Sequence, residues 1–326
     1  MRASSIQNLL SGLIIIGVLL PAVSPAAAAG AGATFQYRLS GFDGPIASLW
    51  ARVAVDEPSG EVYTLNLGEG RVQIFNKTGM LLYSFGQDLN LAGSADLAAG
   101  DDGEIYIAVA RATRSGVLRL DYRGRLLSFI GLGHLPVSYQ PFRPTRLDYR
   151  SGKLYLLDTG SMRLVVLSSD GTYVRGYELK SLIMAQLPED DKKARKKVSE
   201  MEIDGFCVDK TGNVYFTAPT LFSAFRLSSS GVLVGFGKQG SGPGKFGVVS
   251  GIGVAGDGRI YVADKLRCVV LIFDSDLKFH DEFGYRGNQS GNLVVPGDVA
   301  VDSRHGNIYV AQAANRGVSD FKLTGP

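Results

Sequence analysis

The chain has 326 residues, 45% of them hydrophobic and 20% charged, with a net charge of +3. That composition excludes a disordered chain or a coiled coil, and the near-neutral balance excludes a nucleic-acid binder built on a strong basic excess. Two cysteines, Cys207 and Cys268, cannot make a disulfide framework, and no CxxC or Cys/His cluster offers zinc. The 42 glycines are about twice the average share, which points to many tight turns and short strands.

Residues 1–29 read as a secretory signal peptide. Arg2 supplies the positive end, Leu9 to Leu20 form an apolar run of twelve residues, and Ala26 to Ala29 offer small-residue cleavage sites. Twelve residues are short of the ~20 that span a bilayer. The mature protein is therefore expected to be periplasmic or secreted, with no membrane span after signal removal.

From there on, one pattern recurs six times: a short apolar run, a polar turn with glycine, then an apolar–Tyr–apolar strand. The tyrosines are Tyr63, Tyr106, Tyr155, Tyr215, Tyr261 and Tyr309, spaced by 43, 49, 60, 46 and 48 residues. Apart from one long interval, the period is that of a four-stranded propeller blade. Blade 1 places its strands at Arg52 to Asp56, Glu61 to Asn66, Arg71 to Asn76 and Leu81 to Phe85, with Gly60 and Gly79 in its hairpins. The sixth unit has only three strands, Val299 to Asp302, Asn307 to Ala311 and Gly317 to Leu323. The segment FQYRLSGF (Phe35 to Phe42) resembles an outer strand and is expected to complete that blade, removing two open sheet edges. The predicted fold is all-β: a six-bladed β-propeller over residues 30–326, closed by its N-terminal strand. The long interval carries a helical insertion over residues 181–202, between blades 3 and 4.

The unit FGKQGSGPGKFGVVSGIGVAGDGRIYVADKLRCVVLIFDSD, from Phe236 to Asp276, resembles the NHL-repeat family of six-bladed propellers. Blades 5 and 6 match the pattern well; blades 2, 3 and 4 are degenerate. The resemblance implies the fold. Members of the family include protein- and RNA-binding modules and a few enzymes, so function has to be argued from sites. Two look-alikes fall away. Gly251, Gly253 and Gly256 spell GxGxxG but lead into a turn and a strand instead of a helix. GSGPGKF (Gly240 to Phe246) lacks the spacing and the Ser or Thr of a phosphate loop.

Candidate site residues fall on the face that carries the blade-to-blade linkers. Asp96 and Asp298 occupy the same inner-strand position in blades 2 and 6, and Asp204 lies one residue out of register in blade 4. Carboxylates converging on a channel suit Ca²⁺; the other reading is strand-start acids, some paired to Arg52 or Arg146. The loop from Gly131 to Arg146 carries His134, Tyr139, Phe142 and Arg143 between stiffening prolines, a way to present aromatics to a partner; the other reading is that Tyr139 and Phe142 seal the groove between blades. The insertion places Pro188 in a first helical turn and sets Ala194, Val198 and Met201 on an apolar stripe. Lys192, Lys193, Arg195 and Lys196 then form a basic face, read either as the solvated side of a helix packed on the propeller or as part of a lid or docking helix. Loops between second and third strands add Arg111, Arg114, Arg163, Lys265, Arg267 and Arg316, the arginines being suited to carboxylates. Asp56, Asp148, Asp209 and Asp302 read as Asx-turn residues, and Trp50 is placed near the linker face.

No catalytic residue stands out. The expected function is an exported, non-catalytic scaffold that docks a cell-envelope or extracellular protein through the linker face and the inserted helix. The alternatives are a propeller that binds a glycan or peptide, and a metal-dependent lyase- or lactonase-like enzyme with its metal at the channel mouth.

Overall fold

The computed structural model describes residues 32–41, 44–45, 51–86, 89, 91, 93–111 and 115–323. The expected leader, Trp50 and Arg114 lie outside the described residues.

Six four-stranded antiparallel sheets follow one another along the chain and close into a ring. Their inner strands are Ala51–Asp56, Ser94–Ala99, Arg146–Arg150, Phe206–Val208, Val249–Val254 and Pro296–Asp302. Blade 6 takes its outer strand from the N-terminal end: Ala33–Arg38 pairs with Gly317–Leu323. The closing strand is thus shorter than the sequence suggested. Ser40–Gly41 turns off to pair with Gly44–Pro45 instead.

The repeated tyrosines explain the architecture. All six are buried, each on the second strand of its blade. Among the described residues, the buried apolar side chains fall into six clusters, each wedged between two consecutive blades. A blade buries neither face alone; its neighbours on both sides complete it, at about 1.5–3 kcal/mol for each large side chain taken out of water. Gly60 and Gly79 take the positive φ their hairpins require.

The insertion forms two helices, α1 (Leu179–Met184) and α2 (Lys192–Ser199). Leu179, Ile183, Val198 and Met201 join the cluster between blades 3 and 4. Pro188 does not enter a helical turn. It sits in the link between the helices, and α2 starts later because the Asp191 side chain caps it, accepting from the Ala194 N–H at 2.9 Å. No described helix is long and apolar enough to cross a membrane. Cys207 and Cys268 are buried free thiols.

Candidate functional site

Inner strands line the channel, and alternate residues of each strand point into it. A one-residue irregularity in pairing sits immediately before Asp96, between Ser94 and Asp96, and another before Asp298, between Pro296 and Asp298. Such bulges re-aim the next side chain. Here they turn both acids across the joint to the following blade. Asp96 Oδ2 accepts the Leu147 N–H of blade 3 at 3.0 Å, and Asp298 Oδ2 accepts the Val53 N–H of blade 1 at 3.1 Å. Asp148 repeats the device, accepting the Val208 N–H of blade 4 at 2.7 Å.

These three carboxylates satisfy inner-strand N–H groups that no sheet partner reaches. Two other joints are made by direct backbone approach. A Cβ on Gly205 would lie 2.1 Å from Ser250 O, and one on Gly251 would lie 2.5 Å from Asp298 Cα. The GxGxxG glycines therefore serve ring packing, as their context predicted.

The linker-face mouth is a mixed-charge cluster. Burial pushes the Asp96 carboxyl up to about 6, against the pull of Arg52 and Arg146 and with help from Asp298. Burial likewise raises Asp298, opposed by Arg52. Asp204 goes the other way: burial alone would raise it, but Lys265 and Arg146 outweigh burial and hold it below the ordinary carboxylate range. Arg146 donates to the Asp204 side chain at 2.8 Å and to its carbonyl at 2.6 Å, and Lys265 Nζ reaches the other carboxylate oxygen at 2.5 Å.

Each of the three acids expected to hold Ca²⁺ has hydrogen-bond partners within the chain. Among the described residues no three His, Cys, Asp or Glu side chains come together as a metal-holding group. Asp96 and Asp298 do meet, but with arginines, and each has an oxygen bound to a backbone N–H. Asp204 is held by two cations. The cavity between the inner strands is about 70 Å³, room for water and well short of the ~300 Å³ of a small-molecule pocket.

Sequence reasoning missed the other half of the channel. Asp148 was read as a turn residue, yet it bridges blades 3 and 4. Arg150 donates to Val208 O at 2.8 Å, and its guanidinium is held charged chiefly by Asp148. Glu57 of blade 1 crosses the hairpin-face opening to Lys210 of blade 4 at 3.5 Å. The signal was there: Arg146, Asp148 and Arg150 alternate along one strand and so share its channel side. Open depressions of about 970 and 690 Å³ flank this bar. Three of their acids are engaged within the chain: Asp56 by Ser59, Glu61 by Tyr63 and Asp101 by Tyr149.

The remaining candidates divide. Phe142 is 4% exposed and belongs to the core between blades 2 and 3, so it is not presented to a partner. Tyr139 is half-buried against Gly176, its ring 6.0 Å from that of Tyr173. Arg163 pairs with Glu178 at 2.9 Å. Arg267 pairs with Glu282 and donates to Lys245 O. Arg143 is exposed, as are Lys192, Lys193 and Lys196; Arg195 is half-buried and leans on α1.

No protein-family model and no curated protein matches the chain. Solved structures do. A gluconolactonase from Xanthomonas campestris superposes with a TM-score of 0.58 at 13% identity, over 90% of this chain and 94% of its own. The calcium-binding protein regucalcin from Agrobacterium tumefaciens gives 0.57 at 16%, over 91% and 96%. A virginiamycin B lyase from Staphylococcus aureus gives 0.54 at 12%, over 87% and 86%. At these identities the likeness establishes the six-bladed propeller and no activity.

Proposed function

We propose that the chain is an exported, non-catalytic NHL-type scaffold that docks an acidic segment of another envelope or extracellular protein on its linker face. One observation carries this reading: α2 is keyed into the ring while its lysines stand in solvent. Val198 and Met201 are buried in the inter-blade core, Lys180 Nζ ties to Ser199 O at 2.7 Å, and Lys192, Lys193, Lys196 and Lys197 are exposed. A held helix presents its charges at less entropic cost than a loop. The channel supports the same side of the choice. Its acids are bound to backbone N–H groups, arginines and a lysine, and among the described residues no three His, Cys, Asp or Glu side chains converge as a metal-holding group. A glycan- or peptide-binding reading through Tyr139 and Phe142 is weakened by the burial of Phe142.

The test is cross-linking co-purification from the intact envelope, comparing wild type with Lys192→Glu/Lys193→Glu/Lys196→Glu. A defined partner captured by the wild type and lost from the folded triple variant supports the scaffold. Equal capture by both removes α2 from the docking site.

A further inference from the structure

Blade 6 is held shut by the pairing of Ala33–Arg38 with Gly317–Leu323, and an acid lies inside that seam. Asp320 is 0% exposed. It stands opposite Tyr37 on the closing strand and Tyr309 on the second strand. Asn307 Nδ2 donates to its Oδ2 at 3.1 Å, while Oδ1 has no hydrogen-bond partner. The Tyr37 hydroxyl donates elsewhere, to Lys77 O of blade 1 at 2.9 Å.

The charged and titratable neighbours come from every strand around it. Lys322, on its own strand, spends its ammonium on His305 O and Asn307 Oδ1. Asp302, on the inner strand, adds a second acid and is bonded to the His305 ring at 2.8 Å. Tyr37 and Tyr309 complete the set. An ionised Asp320 thus faces another carboxylate and a cation committed to other oxygens. A protonated one brings no charge into the seam.

We propose that Asp320 is a proton-operated clasp: the closing strand is held most firmly while the acid keeps its proton, and loosens as the acid ionises. Burial pushes this carboxyl up to about 7, against the pull of Lys322 and with help from Asp302. With the strand released, the acid returns to an ordinary value of about 4. The group's folded-state affinity for the proton is raised. Its contribution is therefore complete below about pH 4, declines as pH rises toward 7, and is gone above that. The closing strand is the element that yields, because it is paired on one side only.

Hydrogen exchange of amides 33–38 in the intact protein, corrected for intrinsic rates, reads the clasp. Between pH 4.5 and 7 the opening equilibrium should rise by at least ~tenfold and then level off. Asp320→Asn should flatten the profile, and His305→Gln should keep it. Lys322→Met, which leaves the acid in place, should move the midpoint to higher pH. A flat wild-type profile, a slope that survives in Asp320→Asn, a slope lost in His305→Gln, or an unmoved midpoint in Lys322→Met each overturns the clasp.

Discussion

Asp96 and Asp204 share one channel mouth and answer to pH with opposite signs. Asp96 is raised to about 6 by burial, so its ionisation costs the folded state stability between about pH 4 and 6. Asp96→Asn still offers an acceptor to the Leu147 N–H and should raise the urea midpoint at pH 7.5 while changing it little at pH 4. Asp204, lowered by Lys265 and Arg146 against burial, contributes stability above pH 4 that disappears as pH falls through its lowered value. Asp204→Asn should therefore cost about 1–3 kcal/mol at pH 7 and little at pH 2.5; an unchanged midpoint at pH 7 would sink the pairing. At the glycine joint the argument is steric. Gly205→Ala must place a carbon 2.1 Å from Ser250 O, so it should cost ~2 kcal/mol or more in urea unfolding, or prevent folding altogether.

The insertion joins a structural face to a charged one, and substitutions should separate them. Met201→Ala opens a hole among residues that are themselves buried and should lower stability by about 2 kcal/mol in thermal or urea unfolding. The lysine reversals should leave the midpoint within about 0.5 kcal/mol, so any loss of docking cannot be blamed on unfolding. The insertion also marks where sequence patterns stop informing. The stripe of Ala194, Val198 and Met201 foretold α2, and two of its three members are buried. α1 gave no such signal, because six residues are under two turns and show no period. Phe142 follows the second of its two readings: its flanking prolines suit display, but an apolar ring beside an inter-blade core gains more by entering it.

At the scale of the ring, the tyrosine spacing made the blades legible, because each tyrosine fills the same buried place in its own blade. The closure was legible too, since a three-stranded sixth unit needed a strand from elsewhere. The channel clamps were not. Asp148 bonds to Val208, 60 residues away in the sequence, and nothing local to RLDYR names that partner. Removing residues 33–38 should leave Phe321 without the edge-on packing of Phe35, 5.8 Å between ring centres, and expose a sheet edge. Size-exclusion chromatography should then show association or aggregation, whereas a monodisperse monomer would mean that three strands suffice for blade 6.

The carboxylate bridges also turn the backbone into a reporter. An amide proton held by a carboxylate feels that group's charge, and its chemical shift follows the titration. The amides of Val53, Leu147 and Val208 therefore record the ionisation of acids that belong to other blades. In a pH series of nitrogen–proton spectra, Leu147 should move with a midpoint near 6, the value of Asp96. The electrostatic state of the channel can thus be followed one joint at a time, without altering a single side chain inside it.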